Sequence, residues 1–177
     1  MPEPRYTIEP LDPKVHDRNS FRNEEKALES YIQNQARKDA KARASTCFVL
    51  TSKSAPEKIL GYYTLSNASI DAASIPEELK QQLKLPSYTS TPATLLGRIA
   101  RDSSAKGTPV GKLLMASLFK RAIGTADEIG SIGIILDPKN DRLVEYYSSY
   151  GFKKLSSRQM LLPMDEALGF LTRHYQN

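Results

Sequence analysis

Short apolar runs alternate with helical apolar stripes along most of this chain. Apolar or β-branched runs bounded by turn residues predict strands, and apolar positions that recur every three or four residues predict helices. The predicted strands span residues 6–11, 46–51, 59–66, 93–101 and 132–136, with a last strand region from 152 onward. The predicted helices span residues 24–42, a short turn from 76, residues 110–122 or beyond, and 142–149. This alternation favours an α/β or α+β domain.

The first predicted helix, 24–42, carries an apolar stripe on one face and charges that suit its dipole. Glu24 and Glu25 fall in its predicted first turn, and basic residues lie near its end, as the helix dipole favours. The predicted stripe consists of Ala27, Leu28, Tyr31, Ile32 and Ala36.

Turn residues delimit the other elements. The two strands at 46–51 and 59–66 are separated by a turn and predict a hairpin. Pro86 and Pro92 interrupt regular structure before the strand that begins at Ala93. Gly151 suits the left-handed position after a helix end, and the segment 159–163 is a candidate partner for the last strand.

Composition bounds the class of protein. The chain has 177 residues, of which 40% are hydrophobic and 25% charged, which predicts a single domain over 1–177 with its own core. Cys47 is the only cysteine, so neither an intramolecular disulfide nor a thiolate-rich metal site is expected. No stretch approaches the roughly 20 apolar residues that span a bilayer, and the first residues lack the apolar core of a signal peptide. We therefore expect a protein of the reducing cytoplasm, with no membrane contact and no metal.

The charge balance favours an anionic partner. The formal net charge is +5 and the isoelectric point is about 9.2. A basic protein attracts polyanions such as RNA or a phosphate-rich cofactor, although a solvated basic surface explains the charge equally well. Candidate RNA contacts are Arg37, Lys38, Lys41, Arg43, Lys153, Lys154 and Arg158.

The most informative segment is Leu95–Leu114, in which an apolar strand runs through a loop of small residues into an apolar helix. Gly107 and Gly111 let backbone N–H groups approach a phosphate, and a helix N-terminus adds free N–H groups and a positive dipole. Lys106 and Lys112 add charge. The segment predicts a pyrophosphate cradle, and a plain connection between strand and helix is the alternative.

Two other phosphate-binding motifs are excluded here. A Walker A loop needs four residues between its glycines and a Ser or Thr after the Lys. Three residues separate Gly107 from Gly111, and Leu113 follows Lys112. The chain also has no Gly-x-Gly-x-x-Gly dinucleotide fingerprint, so ATPase and NAD-binding functions lose their main support.

The same segment resembles motif A of the GNAT superfamily of N-acetyltransferases, and it is most similar to the acetyltransferase toxins of bacterial toxin–antitoxin modules (the TacT-like group). Leu-Leu-Gly-Arg-Ile-Ala-Arg-Asp over 95–102 matches that group well, and Lys-Gly-Thr-Pro-Val-Gly over 106–111 matches it less well. The segments 49–51, 59–66 and 143–152 resemble three further motifs of the group in the same order. The resemblance implies a GNAT fold, in which a mixed, mostly antiparallel, twisted sheet is flanked by helices.

The resemblance also implies the site residues. Tyr147 corresponds to the tyrosine that protonates the departing CoA thiolate, whereas Tyr146 is assigned to packing. The implied acetyl-CoA-binding residues are Ile99, Ala100 and Arg101, which would pair with the pantetheine arm, and Lys106, Gly107, Thr108, Pro109, Val110, Gly111 and Lys112, which would hold the pyrophosphate.

Several assignments stay open at this point. Pro109 replaces a glycine of the motif, has no N–H to donate, and suits the start of a helix. Arg98 either contacts an acidic or RNA substrate or buttresses its strand. His16 and His174 lie outside the motifs and are expected at the surface, and no general base is identified.

The resemblance implies an acetyl-CoA-dependent toxin that acetylates the α-amine of aminoacyl-tRNA and so blocks translation. The alternatives are an N-acetyltransferase acting on a small-molecule or protein amine, and a degenerate CoA-binding module. The implied partners are aminoacyl-tRNA and a ribbon–helix–helix antitoxin, and a homodimer is also considered.

Overall fold

The computed structural model describes residues 5–175. Its strands are β1 (Tyr6–Pro10), β2 (Thr46–Ser52), β3 (Ala55–Asp71), β4 (Ser90–Arg101), β5 (Gly133–Leu136), β6 (Lys153–Lys154) and β7 (Met160–Pro163). Its α-helices are α1 (Lys26–Asn34), α2 (Ala36–Lys41), α3 (Glu77–Leu83), α4 (Val110–Glu128), α5 (Asp141–Ser148) and α6 (Met164–Tyr175). Short 3₁₀ turns lie at Ala72–Ser74 and Ser103–Ala105.

The strands form one seven-stranded sheet in the order β1-β2-β3-β4-β5-β7-β6. The pairs β1/β2, β2/β3, β5/β7 and β6/β7 are antiparallel. The pair β4/β5 is parallel, with Thr94 opposite Ile134 and Leu95 opposite Ile135. The predicted fold class, a mixed and mostly antiparallel sheet with helices, is therefore confirmed, as are the hairpin of β2 with β3 and the pairing of β6 with β7.

The chain divides into two compact units, of which the first runs to Ser66 and includes Gly97–Leu118. Helices α1 and α4 pack on opposite faces of this part of the sheet. Tyr62 of β3 stacks on Tyr31 of α1, and a Cβ on the neighbouring Gly61 would lie 2.7 Å from Leu114 Cδ1 of α4. Successive residues of a strand point to opposite faces, so α4 approaches the sheet closely at Gly61 from the face opposite to α1. One core cluster of the unit consists of Phe21, Tyr31, Ile32, Ala36, Cys47, Val49, Ile59, Tyr62 and Ala100.

The second unit comprises Asn67–Leu96 and the chain from Phe119 onward. All four residues of β5 and all four of β7 are buried, as their apolar sequences predict. One core cluster contains Ile70, Ile75, Leu79, Ala93, Ile135, Leu155 and Leu161. A second cluster is aromatic: the ring of Phe119 contacts those of Tyr150, Phe152 and Phe170.

The helix predicted over 24–42 forms as two helices, with Gln35 between them. Tyr31, Ile32 and Ala36 are buried as predicted, because Gln35 keeps helical hydrogen bonds to Tyr31 and Asp39 and so preserves the register. Ala27 is exposed, which contradicts its place in the stripe.

The prediction for the start of this helix is also wrong. Glu24 and Glu25 precede α1, and Glu25 has extended backbone angles (φ −81°, ψ 101°). The first-turn acid is Glu29, whose Oε2 accepts the Asn23 N–H at 2.9 Å. This hydrogen bond lowers the pKa of Glu29.

Pro92 lies inside β4 rather than before it, so its expected role as a break is wrong. Pro92 is exposed to solvent, and its carbonyl accepts the Ile132 N–H at 3.0 Å. A proline is tolerated in a strand where no partner requires its missing N–H. Helix α6 was not predicted, although Asp165 and Glu166 lie in its first turn, where acids favour a helix start.

His16 is 4% exposed, so the expectation of a surface histidine is wrong. Its Nδ1 accepts the Asp12 N–H at 2.9 Å, which places the ring proton on Nε2, and Nε2 donates to Glu9 Oε1 at 3.0 Å. The ring is therefore a neutral structural link between β1 and the segment that follows it. His174 is exposed, as expected.

No helix within residues 5–175 has the length and apolar character required to cross a membrane.

Candidate active site

Side-chain hydrogen bonds fix the C-terminal end of β4, in addition to its place in the sheet. The Arg98 N–H donates to Thr64 Oγ1 at 3.0 Å, and a Cβ on Gly97 would lie only 2.9 Å from the same oxygen. Glycine is therefore required for the close approach of Thr64. At the other end of the segment, Asn23 Nδ2 donates to the Arg101 carbonyl at 2.8 Å. The segment 98–101 is thus fixed at both ends.

Asp102 anchors the turn that follows the strand. It is 4% exposed, and its carboxylate accepts N–H groups from Arg22 at 2.8 Å and from Ser104 at 3.0 Å. A buried carboxylate is stabilised only when such donors replace its hydration. This residue ties the loop to the segment before α1.

The loop 106–109 leads directly into α4. Gly107 has φ +75°, a conformation that other residues rarely adopt, so the glycine expected for a tight phosphate loop is required here. The Thr108 hydroxyl and the Thr108 N–H both contact the Ala105 carbonyl. The turn is therefore closed by the chain itself, before any ligand binds.

Pro109 precedes α4 instead of occupying its first position. Its carbonyl accepts the Leu113 N–H at 3.0 Å, and the helix begins at Val110. The Val110 N–H points to Thr108 Oγ1 at 3.4 Å, whereas those of Gly111 and Lys112 have no partner among residues 5–175. Pro109 thus removes one backbone donor, and two free donors remain.

The start of α4 faces open space. A Cβ on Gly107 or on Gly111 would meet no atom within 4 Å, and the Lys112 side chain is exposed. Lys106 is ion-paired with Glu24. Free N–H groups, a positive helix end, an adjacent lysine and open space form a site that fits a phosphate.

Tyr147 lies in the second unit, on α5, where the sequence predicted a short helix. Asn140 caps this helix by accepting the Leu143 N–H at 2.9 Å on its side-chain oxygen. The Tyr147 ring packs edge-on against Phe152 with centroids 5.6 Å apart. Gly151, between these two residues, has φ +104°, so the predicted positive φ is confirmed. The residue is 7% exposed.

The Tyr147 hydroxyl is available to a ligand. It makes no hydrogen bond within residues 5–175, and it is not among the fully buried polar atoms that lack a partner. Burial raises the pKa of Tyr147 to about 12, and the nearby Tyr146 adds to the rise. The phenol is therefore neutral, and able to donate a proton, throughout the physiological pH range.

Tyr146 differs from its neighbour in exposure. It is 41% exposed, its hydroxyl lies 3.4 Å from that of Tyr150, and its ring packs against Tyr147 and Tyr150 only at their edges. Its assignment to packing implied a ring buried against the sheet. The Tyr146 ring instead packs against neighbouring aromatic rings and is partly exposed.

Within residues 5–175, no group of three or more His, Cys, Asp or Glu side chains is placed to hold a metal ion. The basic residues proposed as RNA contacts in α2 and after it, Arg37, Lys38, Lys41 and Arg43, are all exposed. Of the C-terminal set, Lys154 and Arg158 are exposed, and Lys153 is paired with Glu166 at 3.4 Å.

Comparison with known proteins identifies the family. No protein-family model matches the chain. The probable toxin TacT of Sinorhizobium fredii is 32% identical over 166 residues, which cover 89% of this chain and 90% of that protein.

Two solved structures share the fold over almost the whole chain. One is AtaT complexed with acetyl-methionyl-tRNAfMet, with a TM-score of 0.84 and 25% identity over 94% of this chain and 99% of that one. The other is AtaTR bound with acetyl-CoA, with a TM-score of 0.80 and 26% identity over 95% of this chain and 99% of that one. The chain therefore belongs to the TacT family of GNAT-fold acetyltransferase toxins.

Proposed function

We propose that this protein is an acetyl-CoA-dependent N-acetyltransferase whose substrate is the α-amine of aminoacyl-tRNA, and that it acts as a toxin by blocking translation. The single observation that carries the enzymatic part is the open space at the start of α4, with free N–H groups on Gly111 and Lys112. The TacT relative and the AtaT structure with acetyl-methionyl-tRNA support the choice of substrate.

The cosubstrate is assigned to two segments of the first unit. The loop and helix start hold the pyrophosphate through Lys106, Gly107, Thr108, Pro109, Val110, Gly111 and Lys112. Ile99, Ala100 and Arg101 pair with the pantetheine arm, because a fixed strand offers N–H and C=O groups to an amide-bearing chain. On binding, a phosphate oxygen replaces the Glu24 carboxylate as the partner of Lys106.

The chemistry needs a neutral amine, which attacks the acetyl carbonyl of the thioester. A C–N bond forms, the C–S bond breaks, and its electron pair leaves with the sulfur. We assign to Tyr147 the transfer of its phenolic proton to that sulfur, while the amine loses its extra proton to water. An α-amine has a pKa of about 8, so a substantial fraction is already neutral at physiological pH and no strong base is required.

The basic surface suits a tRNA substrate. The net charge of +5 and the exposed Arg37, Lys38, Lys41 and Arg43 provide sites for phosphates. The toxin class implies neutralisation by an antitoxin, which we propose to be a ribbon–helix–helix protein. We place the protein in the cytoplasm, where its tRNA substrate is found, and propose that residues 1–177 act as one acetyltransferase domain.

The test is transfer of radiolabelled acetyl from acetyl-CoA to total aminoacyl-tRNA by the purified protein. We expect label that precipitates with tRNA and is released by mild alkali as N-acetyl amino acid. Deacylated tRNA and N-formylated methionyl-tRNA are matched controls that lack a free α-amine, and both should stay unlabelled. Label on small amines or proteins but not on aminoacyl-tRNA would overturn the proposed substrate, and no transfer to any amine would overturn the enzyme.

A further inference from the structure

Arg98 holds an unusual position on the first unit. The residue is exposed, yet its guanidinium carbon lies 3.8 Å from the centroid of the Tyr31 ring, which is itself 5% exposed. A guanidinium at that distance makes a cation–π contact with the ring. The Arg98 backbone is fixed as well, by the hydrogen bond to Thr64.

The ring beneath Arg98 is also held in place. The Tyr31 hydroxyl donates to Asp39 Oδ2 at 2.8 Å, and Gln35 Nε2 donates to Asp39 Oδ1 at 2.8 Å. The Tyr31 ring also stacks on Tyr62, whose hydroxyl donates to the Leu28 carbonyl at 2.6 Å. Tyr31 is therefore a rigid platform fixed to both α1 and α2.

The guanidinium keeps its hydrogen-bonding capacity unused. No described residue accepts a hydrogen bond from its N–H groups or forms an ion pair with it. Both oxygens of the nearby Asp39 are already bonded to Tyr31 and Gln35. Asp39 acts on Arg98 only through its charge. A preoriented arginine with unused N–H donors is suited to a planar oxyanion such as phosphate, because little side-chain freedom is lost on binding.

The position of Arg98 separates it from the cosubstrate's phosphates. Arg98 packs on Tyr31 of α1, whereas α4, whose first turn carries the free N–H groups, packs its Val110 and Leu114 side chains against Gly61 from the other face of the sheet. The exposed basic residues of α2 lie in the same layer as the Tyr31 platform. An anion bound at Arg98 therefore belongs to the partner that binds along this basic layer. The next residue, Ile99, is assigned to the acetyl donor, so this anion lies close to the reacting groups.

We propose that Arg98, stacked on Tyr31, binds a backbone phosphate near the aminoacylated end of tRNA and so positions the α-amine beside the acetyl donor. This inference rests on the proposed function, since it names the group that holds that substrate. Arg98 is a positioning residue and takes no part in proton transfer. It should govern the KM for aminoacyl-tRNA and leave kcat and acetyl-CoA binding unchanged.

The test compares Arg98→Gln with Arg173→Gln, the same substitution at an exposed arginine of α6. Arg98→Gln should raise the KM for aminoacyl-tRNA about tenfold, with kcat and the stabilisation by acetyl-CoA preserved. The slope of log Kd for tRNA against log salt concentration should fall by about 0.7–0.9, the value for one lost phosphate contact. Arg173→Gln should match the wild type in all of these measurements.

The slope is decisive because a residue with a purely structural role would not change it, and because it does not depend on the fraction of folded protein. An unchanged slope and KM in Arg98→Gln would overturn the inference while wild-type acetylation of aminoacyl-tRNA still stood. Wild-type protein that neither binds nor acetylates aminoacyl-tRNA would instead overturn the proposed function. The two failures are therefore distinguished by the wild-type measurement.

Discussion

Two adjacent tyrosines of α5 have different environments although their side chains are chemically identical. Tyr147 is 7% exposed and has a free hydroxyl, whereas Tyr146 is 41% exposed and lies near the Tyr150 hydroxyl. Burial raises the pKa of Tyr147 to about 12, so the phenol keeps its proton throughout the physiological pH range and its free hydroxyl can hydrogen-bond to a forming thiolate. The environment of Tyr147 thus suits an acid.

Replacement of Tyr147 by Phe tests this role. The change removes the hydroxyl and keeps the ring against Phe152, so the fold and acetyl-CoA binding should survive. If the hydroxyl protonates the thiolate, kcat should fall by about 10²–10⁴-fold, the usual contribution of a positioned acid. The KM values should change little, because the interaction matters mainly in the transition state. Steady-state kinetics with aminoacyl-tRNA measure both quantities.

Tyr146→Phe is the matched control and removes only the long contact with Tyr150. It should retain activity within about threefold, since a hydrogen bond on the surface contributes little. Equal activity of the two variants would show that the acid is a water molecule or another side chain.

At the scale of elements, most of the fold and the loop could be predicted because their signals are local. Glycine at position 107 is required by a positive φ, and the apolar run after Pro109 becomes α4. Predictions failed where a polar side chain takes a hydrogen-bond partner a few residues away, because the hydrophobic pattern does not show such a contact. Glu25 is extended because Glu29 reaches back to Asn23, and His16 is buried because Glu9 and Asp12 satisfy its ring.

The Arg98 platform could not be predicted for a different reason, the distance between its two residues along the chain. Arg98 and Tyr31 are 67 positions apart in the sequence, and their contact depends on α1 covering β4. The resemblance to acetyltransferases supplied the assignments of Tyr147 and of the cofactor-binding residues. The structure shows in addition which backbone N–H groups at the start of α4 have no hydrogen-bond partner among the described residues.

The loop at the start of α4 leads to a prediction for Pro109→Gly. Glycine restores one N–H beside the free N–H groups of Gly111 and Lys112, and such a donor contributes about 0.5–1.5 kcal/mol, or more to a charged phosphate. The loss of the proline ring costs about 0.4–1 kcal/mol of stability, because glycine gives the unfolded chain and the unliganded loop more conformational freedom. We expect a modest fall in the Kd for acetyl-CoA, of less than about tenfold, together with a lower melting temperature, as measured by isothermal titration and thermal unfolding.

Pro138→Gly provides the comparison, because it makes the same substitution in a turn of the second unit, outside the proposed cofactor residues. It should lower the melting temperature and leave the Kd for acetyl-CoA unchanged. A weaker Kd in Pro109→Gly alone would mean that Pro109 organises the loop and that its N–H is not needed.

At the scale of the whole molecule, stability should depend strongly on alkaline pH because several weak acids are buried uncharged. Burial raises the pKa of the Cys47 thiol from 9.0 to about 12. Burial also raises the pKa values of Tyr31 and Tyr147 from 10.0 to about 12, with Asp39 contributing to the rise at Tyr31. Each group is ionised in the unfolded chain at a pH where the folded chain still keeps its proton.

The sign of this linkage follows from the proton count. Where the folded state binds more protons than the unfolded state, the free energy of unfolding falls as pH rises, by up to about 1.4 kcal/mol per pH unit for each group. The contribution of each group is complete below its unfolded pKa and is lost as pH rises towards its folded pKa. Cys47 therefore begins to contribute from about pH 9.0, and Tyr31, Tyr147 and two further tyrosines whose pKa values burial raises, Tyr62 and Tyr150, add to the decline as pH approaches and passes 10.0.

Cys47→Ala isolates the first part of this dependence. The variant loses a small buried side chain, so its stability at neutral pH should fall by about 1 kcal/mol. Its free energy of unfolding should then decline less steeply between pH 9.0 and 10.0 than that of the wild type, because only the wild type has a thiol that ionises on unfolding, whereas the buried tyrosines contribute to both curves. Urea unfolding followed by circular dichroism across this range measures both curves. Parallel curves for the two proteins would show that the thiol ionises equally in both states, which would contradict its burial in the core beneath α1.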